Sequence, residues 1–197
     1  MRDYWFYFLL VFLVGLLTWL EPLSSGWLIY DRDLIEEGQV WRLFSAHFVH
    51  LSIPHMLGNV MGIFLLGYIA GKYLNNRLGL ALLLWCVLVV GLGLYFYADY
   101  LQRYAGFSGV LHGLLLVAPC ISRYYSRRVA SVFLAVIVFK MAWEQSPLYD
   151  DMALFDLVGG RVEANAHLLG GGAGLIFLLG YLFYYHKIKT PLNVEEL

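Results

Sequence analysis

Long apolar stretches alternate with short polar connections along this chain, and the stretches set its organisation. A membrane-crossing helix needs about 20 mostly apolar residues, with a range of about 17–25. Six stretches meet or approach that length: residues 4–21, 54–70, 78–97, 106–121, 129–142 and 164–185. The fifth is short unless Lys140 and Glu144 are counted within it. This pattern predicts an all-α membrane protein, with six spanning helices in a single domain over residues 1–197. Arg2 is the only basic residue before the first stretch, the acidic Asp3 follows it, and small-residue cleavage context is poor. It therefore reads as a retained first span rather than a removable leader.

Composition supports the bilayer reading. The chain is 61% hydrophobic and 14% charged, where a soluble domain averages about 25% charged. Many Tyr and Trp residues flank the apolar runs, as interfacial belts require. The net charge of -1 by itself says nothing about nucleic acid, but no basic block appears, and no nucleic-acid partner is expected. Cys86 and Cys120 fall inside apolar runs and read as small buried hydrophobes rather than a disulfide. No Cys/His spacing suits a metal, and no cofactor is expected.

Basic residues give the orientation. With the N-terminus inside, the inner side holds Arg2, Lys72, Arg77, Arg123, Arg127, Arg128, Lys187 and Lys189. The outer side holds Arg32, Arg42, Arg103 and Arg161, so eight face four and both termini are expected in the cytoplasm. In that frame the second, fourth and sixth helices all run inward. His55 and Asn59 lie early in the second, Ser108 in the first turn of the fourth, and His167 near the start of the sixth. At about 1.5 Å per residue, all four groups fall in one shallow outer layer. Polar groups at membrane depth default to a functional reading. A hydroxyl and an imidazole are the minimum for a nucleophile and its base.

The residues that carry this pattern resemble the rhomboid family of intramembrane proteases. Trp41-Arg42 followed by Phe48-Val49-His50, then His55-Met56-Leu57-Gly58-Asn59, resembles the family's Trp-Arg, His and His-x-x-x-Asn signature. Gly106-Phe107-Ser108-Gly109 resembles its G-x-S-G nucleophile motif. Ala166-His167-Leu168-Leu169-Gly170 with Gly174 resembles its A-H-x-x-G-x-x-x-G base helix. The resemblance implies a Ser108–His167 dyad cleaving membrane-anchored protein substrates. It also implies an oxyanion hole formed by the Ser108 backbone N–H with His55 and Asn59, and a structural role for His50. Alternatively, His55 and Asn59 bond only to each other. One departure stands out: many bacterial members carry Tyr where this chain has His112, and His112 is expected to stack on His167, to titrate, or to alter the tautomer of His167.

Other residues receive supporting roles. Gly109 and Gly113 on the fourth helix, and Gly170 and Gly174 on the sixth, form small-x-x-x-small faces that let backbones approach closely. Gly106 opens the serine motif. Glu163, four residues before His167, is a candidate to orient that ring, against the commoner outcome of facing water. Lys140 and Glu144 are expected to neutralise each other. Arg42 is expected to tie the first outer loop through Glu36 and Glu37, and His47 reads as an ordinary loop histidine. The bare six-helix core and the Gly170-Gly171-Gly172 triplet resemble the rhombosortase branch, whose substrates end in Gly-Gly, a hydrophobic helix and a basic tail. That resemblance implies a bacterial inner-membrane protein with its site toward the periplasm. A general rhomboid protease, a catalytically silent helix-binding scaffold and a transporter remain as alternatives.

Overall fold

A computed structural model describes residues 4–75 and 77–189. Its helices are α1 (Trp5–Trp19), α2 (Leu23–Leu28), α3 (Arg32–Glu36), α4 (Arg42–Ser45), α5 (Ile53–Ala70), α6 (Arg77–Tyr97), α7 (Ser108–Ile121), α8 (Arg127–Glu144), α9 (Phe155–Val158) and α10 (Ala164–Lys189). A helix thus stands on each of the six apolar stretches. Among the described residues, three runs are long and apolar enough to cross a bilayer: Ile53–Tyr73, Arg77–Tyr97 and Ala164–Tyr184. At 21 residues each, they are about 31 Å long, matching a hydrocarbon core. Helices α1 and α7 are apolar but shorter. Arg2, used in the orientation, lies outside the described residues, as do the side chains of Lys187 and Lys189.

The all-α expectation needs one small correction. Tyr30–Asp31 (β1) pairs antiparallel with Arg103–Tyr104 (β2). This ladder joins the loop after α1 to the loop before α7, so it fixes the approach to Ser108. Arg32 strengthens the same junction, donating from Nε to the Leu101 carbonyl and from its guanidinium to those of Tyr95 and Ala98. These donors occupy carbonyls at and beyond the C-terminus of α6 that have no partner further along the helix.

Helix starts follow local chemistry. Ser52 accepts from the His55 N–H at 3.1 Å and Pro54 sits in the first turn of α5, both strong initiation signals. Ser126 caps α8 through the Val129 N–H. On α1, Phe6, Tyr7, Leu10 and Val14 are buried, while Phe8, Leu9 and Phe12 are exposed. A helix apolar on every side suits a lipid-facing position.

At the centre stands α7, buried at every position from Gly109 to Pro119. It packs against α5, α6, α8 and α10. The α7–α10 seam is the closest: a Cβ on Gly170 would collide with the Gly109 carbonyl, and one on Gly174 would lie 2.5 Å from that of Gly113. Trp85 of α6 adds a bond to the Ala173 carbonyl at 2.9 Å.

Several polar expectations change in three dimensions. Arg42, 2% exposed, does tie the first outer loop, but through the carbonyls of Ile29 and Gly26 and the Gln39 side chain. A buried guanidinium satisfied by fixed carbonyls avoids burying a second charge. His47 is fully buried and packs edge-on to Tyr104, so it is a core residue rather than an ordinary loop histidine. Burial lowers its pKa to about 4. Both cysteines are free; Cys86 is buried but Cys120 is exposed, because α7's burial ends at Pro119.

Candidate active site

The loop before α7 is held in a conformation that only glycine adopts readily. Gly106 has φ +126°, and a Cβ there would lie 2.7 Å from His55 Nε2. Its N–H donates to the Ala46 carbonyl, and its carbonyl accepts from the Tyr104 hydroxyl at 2.8 Å. Ser108 therefore begins α7 at a position fixed from two sides. As the first helical residue, its backbone N–H has no acceptor within the helix.

The glycine seam then sets the distance across helices. Ser108 Oγ and His167 Nε2 are 2.8 Å apart, within reach of a proton transfer. His167 is buried, 5% exposed. His112, one turn along α7, stacks on His167 with ring centroids 4.2 Å apart and planes inclined by 22°. Its Nδ1–H donates to the Ser108 carbonyl at 2.7 Å. The stacking arm of the sequence expectation for His112 thus matches the geometry.

The opposite wall comes from α5. His55 and Asn59 line the same cavity of about 1000 Å³ as Ser108, His112 and His167. Asn59 Nδ2 donates to the His55 carbonyl at 3.0 Å, which uses one of its two hydrogens. The residues bond to each other along one helix, while the second amide hydrogen stays free of that bond. His50 is fully buried and meets His55 edge-on at 4.9 Å. Burial and the nearby His55 lower the pKa of His50 to about 3, so it is a neutral buttress behind His55.

The partner of His167 Nδ1 is Glu144, not Glu163. Glu144 Oε2 lies 2.8 Å from Nδ1, and Lys140 pairs with the same carboxylate's Oε1. Glu163 instead accepts from the Tyr100 hydroxyl at 2.9 Å and the Asn165 N–H at 3.2 Å. Its carboxylate closes the first turn of α10, so it does not reach up the helix. Sequence spacing identified the Lys140–Glu144 pair but missed its contact with His167. The available signal was a carboxylate at membrane depth with a second oxygen to satisfy.

His112, Glu144 and His167 also place potential ligand atoms within 4.8 Å of one another. Both ring nitrogens of His167 are engaged by Ser108 and Glu144. The stacked rings further keep their in-plane lone pairs from converging. The donor set fits a hydrogen-bond relay better than a metal centre. A second cavity of about 400 Å³, lined by Tyr4, Tyr7, Phe64 and Tyr68, contains no nucleophile–base pair.

Comparisons with known proteins bear on the same region. The Rhomboid domain family model matches residues 37–185, which include Ser108, His112, Glu144, His167, His50, His55 and Asn59. Rhomboid protease GlpG of Yersinia enterocolitica serotype O:8 is 28% identical over 155 residues, covering 77% of this chain and 51% of that protein. Rhomboid protease GlpG of Yersinia pestis strain Pestoides F is 25% identical over 151 residues, with the same coverage of each chain. This chain spans about half the length of the curated relatives it matches. With a family match across more than half its residues, the chain belongs to the rhomboid family.

Proposed function

We propose that this protein is an intramembrane serine endopeptidase in which Ser108 is the nucleophile and His167 the general base. The observation carrying this reading is the 2.8 Å contact between Ser108 Oγ and His167 Nε2 beside an open cavity. A serine hydroxyl attacks poorly alone, and a neutral imidazole in contact activates it. Ser108 adds to the scissile carbonyl while its proton passes to Nε2. His167 returns that proton to the leaving amine, and water then hydrolyses the acyl-enzyme. The Ser108 N–H and the side chains of Asn59 and His55 stabilise the transient oxyanion. The family membership and the GlpG relatives support this chemistry.

The architecture we infer has six spanning helices, both termini in the cytoplasm and the cavity facing the periplasm across a bacterial inner membrane. Helices on all six apolar stretches and the eight-to-four basic asymmetry support it. The substrates are proteins anchored in the lipid bilayer. Within that class we favour the rhombosortase-type signal, a C-terminal Gly-Gly followed by a hydrophobic helix and a basic tail. The resemblance of the Gly170-Gly171-Gly172 triplet to that branch supports the assignment. A general rhomboid protease of other transmembrane substrates is the second reading, supported by the GlpG relatives. A silent scaffold would not need the Ser108–His167 contact.

The test uses purified protein with two tagged substrates, one carrying a Gly-Gly, helix and basic tail and one a transmembrane segment without that signal. Cleavage of either one, lost in both Ser108→Ala and His167→Ala, supports the protease. Preference for the first supports the sorting role, and preference for the second the general one. Undiminished cleavage by Ser108→Ala would refute the assigned nucleophile.

A further inference from the structure

We infer that Glu144 completes the Ser108–His167 pair as a positioning residue, fixing the tautomer and angle of the imidazole, with Lys140 anchoring the carboxylate. This rests on the proposed serine chemistry. The geometry is a continuous chain: Ser108 Oγ to His167 Nε2 at 2.8 Å, and His167 Nδ1 to Glu144 Oε2 at 2.8 Å. Lys140 closes it on Oε1. Glu144 is only 8% exposed, so it is a partnered carboxylate rather than a solvated one.

The chemistry follows from what each atom accepts. A neutral imidazole has one N–H and one bare nitrogen. An ionised carboxylate only accepts, so Glu144 requires the hydrogen on Nδ1. The Nε2 lone pair is then free to receive the Ser108 hydrogen. As Oγ bonds to the substrate carbon, the Oγ–H bond breaks and an Nε2–H bond forms. The resulting imidazolium faces the anion of Glu144 until the proton leaves for the departing amine. Neutralising Lys140 does not require this arrangement. An ion pair needs one oxygen, and α8's only other buried residue is the apolar Met141. The second oxygen instead meets the ring nitrogen that sets the tautomer.

The experiment compares wild type with Glu144→Gln, Glu144→Asp and Lys140→Met, each checked for a native thermal transition. A fluorophosphonate probe reports the reactivity of Ser108 without needing a known substrate, and the tagged substrates report kcat and KM. In Glu144→Gln one amide oxygen must serve both Lys140 and His167. Labelling and kcat are expected to fall about 100-fold or more, with KM nearly unchanged, since triad carboxylates contribute up to ~10⁴ in kcat. Glu144→Asp is expected to retain more activity than Glu144→Gln. Lys140→Met, which spares the carboxylate, is expected to lose less; a larger loss would shift the role to the ammonium and overturn the inference. Wild-type rates in Glu144→Gln, with Ser108→Ala and His167→Ala inactive, would overturn the role of Glu144 and leave the dyad intact. Full labelling in His167→Ala would overturn the dyad itself. One further readout needs no folded Glu144 variant: ¹⁵N spectra of ring-labelled wild type, with His167 assigned by the signal lost in His167→Ala. A protonated Nδ1 and a bare Nε2 are expected at neutral pH; the reverse tautomer contradicts the inference.

Discussion

Helices α7 and α8 both reach His167, but from opposite kinds of packing. Helix α7 is buried at all positions from Gly109 to Pro119 and meets α10 backbone to backbone at its glycines. Helix α8 buries only Met141 and Glu144, while Val132, Val136 and Phe139 are exposed. One helix is a fixed post; the other buries two residues fully and packs Phe133, Leu134 and Ile137 against the core only in part. The proposed nucleophile and base, Ser108 and His167, therefore sit on the rigid seam, where a shift of an ångström is hard to achieve. The carboxylate on His167 Nδ1 sits on the loose helix, and its position depends on the Lys140 pair and the Met141–Gly171 contact.

The largest expected effect breaks the seam. Gly170→Ala drives a methyl group into the Gly109 carbonyl, so α7 and α10 must separate and Ser108 moves away from His167. We expect loss of cleavage and of serine labelling together; retained activity would show that the seam does not set the distance. Gly172→Ala, where a Cβ meets nothing within 4 Å, is the matched control on the same helix.

A second test concerns the buried histidines under the rigid side. His47 and His50 are held down to about 4 and about 3, whereas unfolded histidine titrates near 6.5. As pH falls below about 6.5, the unfolded chain gains protons that the folded chain refuses. Stability is therefore full above that value and declines toward pH 4, by about 1.4 kcal/mol per pH unit for each group once titration is complete in the unfolded state. Thermal midpoints in detergent at several pH values measure it. A flat profile across that window would contradict neutral burial of both rings.

Next in size is the cavity wall opposite the seam. Asn59→Ala removes an amide whose second hydrogen faces no partner on its own helix. Losing one oxyanion donor typically costs about 2.7–4 kcal/mol of transition-state stabilisation. The loss is expected in kcat rather than KM; a pure rise in KM would assign Asn59 to substrate binding instead. The smallest effect lies on the loose side. Arg161 pairs with Asp151, but its side chain is 55% exposed. Exposed pairs contribute about 0–1 kcal/mol, so Arg161→Ala should barely move the thermal midpoint. A shift comparable to that of Gly170→Ala would mean that the connection between α8 and α10 is as firmly built as the seam.

The sequence revealed features that depend on one helix, and hid those that depend on the meeting of several. Apolar length located all six long helices, since hydrophobic runs are local. Ser108 and His167 were visible because polar groups are rare in such runs, and their closeness followed from glycines four apart on both helices. Glu144 was visible only as the partner of Lys140, four residues away; its bond to His167 crosses from α8 to α10. Glu163 looked nearer to His167 along the chain, yet Tyr100 and the start of α10 occupy its carboxylate. Arg42 stood near acidic residues in sequence but found carbonyls from a loop folded back over it. His47 looked like loop because nothing in its neighbours shows that α6 and Tyr104 enclose it. In each case the missing information was the packing of a separate element.

Mass-spectrometric mapping of fluorophosphonate adducts on the native protein, with His167→Ala in parallel, tests the Ser108–His167 assignment most directly. The expected result is one adduct, on Ser108, that disappears when the imidazole is removed. An adduct on another serine, or equal modification of Ser108 in the His167→Ala protein, would contradict it.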